Sequence, residues 1–162
     1  MTTTGTATVT LPSDEEILIT REFDAPRHLV YRAFTTPELV RRWWAGRRGE
    51  MTLAEIDLRV GGRWRYVMTA NEGFEVAFHG EYREIVPGER IVSTEVYEGA
   101  PDGSGATLNT ATFHDAGADR TLLEIRVQCP SKDVRDAIIA SGMEGGMQEG
   151  MDLLEQVAQS LR

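Results

Sequence analysis

The side chains best suited to proton transfer or nucleophilic attack at neutral pH are sparse in this chain: His28, His79, His114 and the single Cys129. The three histidines fall on different predicted elements, and none has the spacing of a metal-ligand set. His28 belongs to the first turn of a helix beside Arg27. His79 alternates away from Phe78 along a strand, and His114 lies near a strand end. Each reads as an exposed or satisfied histidine rather than a general base. Cys129 precedes Pro130 and has no neighbouring base, which describes an inert thiol. Glu81, Glu84 and Glu124 read as the solvated face of a sheet. No nucleophile elbow, phosphate-binding loop or dinucleotide fingerprint occurs. The residues argue for no catalytic group, metal or cofactor.

Features suited to binding are more plentiful. Near the C-terminus Gly142, Gly146 and Gly150 recur at every fourth position, with Met143, Met147 and Met151 beside them. On a helix both sets form stripes. A glycine in a helix interior costs about 1 kcal/mol relative to alanine, so with Gly145 the four cost roughly 4 kcal/mol. That is a large part of a domain's stability. The stripe can be offset by close packing on a neighbour, by a break near Gly145-Gly146, or by a ligand in the space between adaptable methionines. From the helix alone, packing is the first expectation.

The strands supply aromatic residues at alternating positions. Trp64, Tyr66 and Met68 share one face of their strand, and Phe74, Val76, Phe78 and Tyr82 share one face of the next unless a bulge intervenes. Phe113 and the run Leu123, Ile125, Val127 fit inward positions on two later strands. Each aromatic alone reads as packing. Together they suit a mostly apolar interior in which the Tyr66 and Tyr82 hydroxyls orient a small molecule. Between Arg27 and Arg48 there are six arginines and one acid, Glu38, and RRWWAGRRG mixes them with tryptophans. This run could grip an anionic partner or simply flank a helix in water.

The elements that must position these residues follow from periodicity. Residues 1–16 lack it and are expected to be a flexible tail before a single domain at 17–162. ILITREF alternates as a strand. Pro26 and Thr36-Pro37 then open two short helices whose apolar faces carry Leu29, Val30, Ala33, Phe34, Leu39, Val40, Trp43 and Trp44. Six strand-like runs follow, separated by turns such as Gly61-Gly62, Pro87-Gly88 and GAPDGSG, as in an antiparallel meander. From Ser131, a plausible N-cap, the pattern is helical to Arg162, with Leu154, Val157 and Leu161 expected to be buried. The order β-α-α-β6-α predicts an α+β fold, a curved antiparallel sheet with a long terminal helix on one face.

Composition narrows the field further. With 162 residues, 41% hydrophobic and 27% charged, the chain is one globular domain with a real core. A net charge of −9 disfavours nucleic acid and anionic membrane surfaces, and no run is long and apolar enough for a membrane span. Lacking a signal-like start, the chain is expected in the cytoplasm.

In order, REFDAP…VYRAFTTPELVRRWW, DLRVGGRWRY, GEYREIVPGERIVST and PSKDVRDAIIASGMEGGMQEGMDLLEQV resemble the signatures of the activator of Hsp90 ATPase homologue family. That family belongs to the START-like superfamily. The resemblance spans about Ile17 to Leu161 and rests on the order of the motifs. It implies a helix-grip fold, in which the sheet wraps the terminal helix around a cavity. It also implies binding or sequestration of a lipid, polyketide or aromatic metabolite. The alternatives it carries are a cyclase or aromatase on the same fold, and a co-chaperone-like module stimulating an Hsp90-type ATPase. Related folds often pair, so a homodimer is expected. On this reading Trp44, Trp64, Tyr66, Phe78, Tyr82 and Phe113 form the aromatic side of the cavity, and Met143, Gly146, Met147 and Met151 the helical side.

Overall fold

A computed structural model of the chain describes residues 6–100 and 105–162. Ile17, Ile19, Arg21 and Phe23 alternate to one side of β2 (Glu16–Phe23) and are all buried, which fixes that side as the inner face of the sheet. The chain then leaves the sheet through α1 (Arg27–Thr35) and α2 (Pro37–Val40). It returns as a meander of β3 (Gly49–Ile56), β4 (Arg63–Ala70), β5 (Glu75–Val86), β6 (Arg90–Tyr97), β7 (Thr107–Asp115) and β8 (Thr121–Gln128). β8 pairs with one edge of β2 and a short β1 (Thr8–Thr10) with the other, and the order across the curved, wholly antiparallel sheet is β1-β2-β8-β7-β6-β5-β4-β3. Two helices close the chain, α3 (Lys132–Ala140) and α4 (Met143–Ser160). The α+β class expected from the sequence is that of the structure, and the element order agrees apart from an added first strand and a divided terminal helix.

Four departures are informative. β1 (Thr8–Thr10) pairs with β2 inside the expected tail, and Ala7 is buried, its backbone bonded in both directions to the Gln148 side chain. The tail's residues 1–5 and part of the GAPDGSG loop lie outside the described residues. The terminal helix is two helices. Ser131 caps the first by accepting from the Val134 N–H at 3.2 Å, while Gly142, at φ +82°, turns the chain into the second. The predicted second helix stops at Val40, so Trp43 and Trp44 sit in turns, where Trp43 buries its ring and donates its indole N–H to the Ala33 carbonyl at 3.0 Å. Phe74 precedes β5 and is 57% exposed, and Leu161 is only half-buried beside the buried Leu154 and Val157.

Packing explains the last glycine of the stripe. The turn segment Trp43–Arg48 crosses α4 at that stripe. A Cβ at Gly150 would lie 3.3 Å from the Trp43 carbonyl oxygen, and one at Gly46 would lie 3.1 Å from Glu149 Cβ. Glu149 fastens the crossing by accepting from the Arg47 N–H at 3.2 Å and facing the Arg48 guanidinium at 3.5 Å. It is therefore not the free, solvent-facing position that its place on the helix suggests. Gly145 and Gly146 are less constrained, because an added Cβ there meets only the flexible Arg48 side chain.

These positions should separate in denaturant melts. Gly146→Ala should raise stability by about 1 kcal/mol through helix propensity. Gly150→Ala should lower it, because the Trp43 carbonyl it would press is held by the Gly46 N–H at 3.0 Å. Equal effects at the two positions would refute this account of the crossing.

Candidate functional site

The inner face of the sheet carries two aromatic groups, and they do different work. In the first, Phe113 of β7 meets Tyr31 and Phe34 of α1 edge-on at 5.3 and 5.4 Å, and Phe34 stacks on Trp43 at 5.6 Å. This group joins the dense core where Phe23, Leu123, Leu154 and Val157 are buried. Met151 and Tyr82 are buried as well, and burial holds the Tyr82 hydroxyl well above the usual tyrosine pKa range.

In the second group, Trp44 meets Tyr66 and Phe78 edge-on, each at 5.4 Å. Trp64 tilts against Tyr66 at 4.7 Å, and Phe78 against Tyr97 at 5.2 Å. Strand register explains the gathering, since Tyr66 pairs with Phe78 and Phe78 with Tyr97 across β4, β5 and β6. Gly80 is required here, because a Cβ would strike the Trp64 indole and the Thr94 carbonyl to which that indole donates at 3.2 Å. Trp44, Phe78, Met143 and Met147 are only partly buried where they pack against the core. The structure thus brings Trp44, Trp64, Tyr66 and Phe78 together and sets Phe113 apart with α1. The open side of Gly146 faces Arg48.

One inner-face group has no counterpart in the sequence-based expectations. Ile91, Ser93, Glu95 and Tyr97 alternate to the inner side of β6, with Glu95 opposite Thr107 and Ser93 opposite Asn109 of β7. Glu95 Oε1 accepts from Asn109 Nδ2 at 3.3 Å, and the Thr107 hydroxyl donates to Asn109 Oδ1 at 2.8 Å. Burial raises the Glu95 pKa against the opposing effect of the Asn109 hydrogen bond. Burial likewise holds the Tyr66 hydroxyl far above the usual tyrosine range, with the nearby Tyr82 and Glu95 adding to the effect. Alternation could not single out Glu95, because the opposite set on this strand, Val92, Thr94 and Val96, is just as apolar.

Two surface depressions flank the sheet, and one of them adjoins the second ring group. One, of about 610 Å³, is lined by Glu55, Arg63, Arg65, His79 and Glu98 together with Trp64, Gly80 and Tyr97 of that ring group. Two of its basic side chains, Arg65 and His79, converge on Glu98. Arg65 grips Glu98 through two hydrogen bonds of 2.8 and 2.9 Å, which hold the Glu98 carboxyl down to about 2 with help from His79 at 2.9 Å. The other, of about 380 Å³, lies among Arg27, Glu89, Arg90 and His114. Both are open to solvent and carry several charged side chains, so the ring-lined inner face is the better candidate. His114 is held by Glu124 at 2.9 Å, His28 is exposed, and burial raises the Cys129 thiol pKa. Among the described residues no histidine, cysteine and carboxylate set converges as a metal site, and no helix is long and apolar enough to cross a membrane.

Residues 24–159 match the family described as Activator of Hsp90 ATPase homolog 1-like protein. No curated protein matches the chain in sequence. Among solved structures, a Rhodobacter sphaeroides protein superposes with a TM-score of 0.88 at 26% identity, over 96% of this chain and 99% of its own. A Chromobacterium violaceum protein does so with a TM-score of 0.77 at 30% identity, over 90% and 98%. An AHSA1-like protein from Aeromonas hydrophila shares the fold, with a TM-score of 0.66 at 20% identity over 89% and 93%.

The Glu95 environment has a signed consequence for stability. Its folded pKa lies above the ordinary 4.5, so the folded state favours the protonated form, and stability is lost as pH rises from about that value through the folded pKa. Glu95→Gln should therefore raise the denaturation midpoint at pH 7.5, with the gain shrinking as pH falls to 4.5. A variant equally destabilised at both pH values would show that the carboxyl is not held at a disadvantage.

Proposed function

The chain belongs to the Activator of Hsp90 ATPase homolog 1-like family, and on that premise we propose that it binds a small, largely apolar molecule between the N-terminal half of α4 and the inner face of β4–β7. The observation that carries this reading is a gradient along the interior. Under the C-terminal half of α4, Leu154, Ala158, Phe23 and Phe113 exclude solvent almost completely. Under its N-terminal half, Met143, Met147, Trp44, Phe78 and Glu95 keep accessible surface although they face inward. Rings on one side and flexible thioethers on the other are suited to flat or irregular apolar ligands. At about 25 cal/mol per Å² of buried apolar surface, a molecule hiding a few hundred Å² reaches micromolar affinity after its ordering costs. Tyr82, Phe113 and Met151 then act as the floor beneath the site.

The test is a bulky side chain at the methionine wall. Wild-type protein should enhance the emission of the neutral probe N-phenyl-1-naphthylamine saturably. Met147→Trp should fill the space and weaken that binding at least about tenfold, with the far-ultraviolet dichroism and cooperative melting retained. Arg83→Trp is the matched control, because the Arg83 side chain is 59% exposed and pairs with Glu81 at the surface. Unaltered probe binding by a folded Met147→Trp protein would place the site elsewhere.

A further inference from the structure

We propose that the molecule bound at this interior site carries a hydrogen-bond-donating cationic group, an amine, and that Glu95 is its counter-ion. The proposal rests on the reading of the interior as an apolar binding site and gives it a ligand class.

The direction of the polar chain carries the argument. The Thr107 hydroxyl donates to Asn109 Oδ1, and Asn109 Nδ2 donates to Glu95 Oε1. Both links point towards the carboxylate, so the chain ends on an acceptor and asks for a donor. Among the described residues, Asn109 is the hydrogen-bond partner of this carboxylate, and no lysine, arginine or histidine lies within ion-pair distance of it. An acid set into an apolar wall with a single amide partner is costly unless something completes it. The other inner-face charges are already matched, Arg21 by Glu155 and Asp152. Arg48, which lies over Gly145 and Gly146, is turned to Glu149.

The surroundings suit a cation as well. Tyr66 belongs to the Trp44, Trp64 and Phe78 ring cluster, and the Glu95 charge reaches its hydroxyl. Tyr97 stands on the same face two residues along β6. The negative faces of aromatic rings attract ammonium groups, and more strongly when water is excluded. An anionic head group would meet the carboxylate and find no cation, and a carbonyl would offer an acceptor to an acceptor. The chain's net charge of −9 further favours approach by cations.

The experiment displaces N-phenyl-1-naphthylamine from the wild-type protein with decylamine, decan-1-ol and decanoate, three ligands with one tail and different heads. Decylamine should displace the probe at about one tenth of the concentration decan-1-ol needs, or less, and decanoate should be the weakest of the three. Glu95→Gln should bring decylamine to the level of decan-1-ol while leaving decan-1-ol unchanged. Glu81→Gln, on the outer face, should preserve the amine preference. The wild-type comparison decides without any variant: equal displacement by amine and alcohol overturns the proposal and leaves the apolar site standing. A preference that survives Glu95→Gln also overturns it. Failure of every ligand and of the probe to bind would remove the interior site itself.

Discussion

Arg21 and Glu155 are both fully buried, one on β2 and the other on α4, and the fold depends on their meeting. Arg21 Nη2 donates to Glu155 Oε1 at 3.3 Å, Nη1 lies 2.8 Å from Asp152 Oδ1, and the guanidinium sits 5.0 Å from the Phe23 ring centre. Glu155 Oε2 accepts from the Asp24 N–H at 2.8 Å, where the chain turns from β2 towards α1. Gln159 and Arg162 donate to the Asp24 carbonyl, each at 3.1 Å. Each buried charge is tolerable only with the other in place, so α4 has one rotation and one height above the sheet. Apolar packing of Leu154 and Val157 would accept small slips, but this network does not.

Pinning one half of α4 frees the other. Around the buried pair the interior is filled by branched and aromatic side chains from β2, β8, β7 and α1. Towards Met143 the helix is held instead by the Trp43–Arg48 crossing over its glycines and by Gln148 clasping the Ala7 backbone. Around this end of the helix the rings of Trp44 and Phe78 and the thioethers of Met143 and Met147 are only partly buried. The raised pKa of Glu95 follows from desolvation of its carboxyl, which among the described residues has Asn109 and no cation as its partner.

The methionine and glycine stripes illustrate how two roles can share one helix. The sequence places them side by side and leaves packing, a break or a ligand open as the reason. In the structure the glycines admit a crossing backbone at Gly150, while Met143 and Met147 remain partly accessible on their own side. Gly142 belongs to neither role, being the left-handed residue between α3 and α4. Glycine is needed at these positions for close approach in one case and for backbone conformation in the other.

What the sequence determined by itself is the succession of elements. Alternation along β2 and β4–β8, the turn residues between them and the Ser131 cap are local signals, each read within a few residues. The order of family motifs likewise marked the fold. The sequence was less able to show that Thr8–Thr10 forms a strand, since three residues carry too little periodicity and the strand depends on β2 and Gln148 for its position. Nor could it divide the aromatics, because Phe113 and Phe78 look alike until register sets one beneath α1 and the other beside Trp44. Glu95 was hidden for the same reason. Both faces of its strand carry apolar residues, and only the pairing with β7 turns the carboxyl inward to Asn109. Tertiary structure decided these points because a side chain's surroundings are set by strands and helices distant in the chain, whereas its secondary structure is set largely by its neighbours.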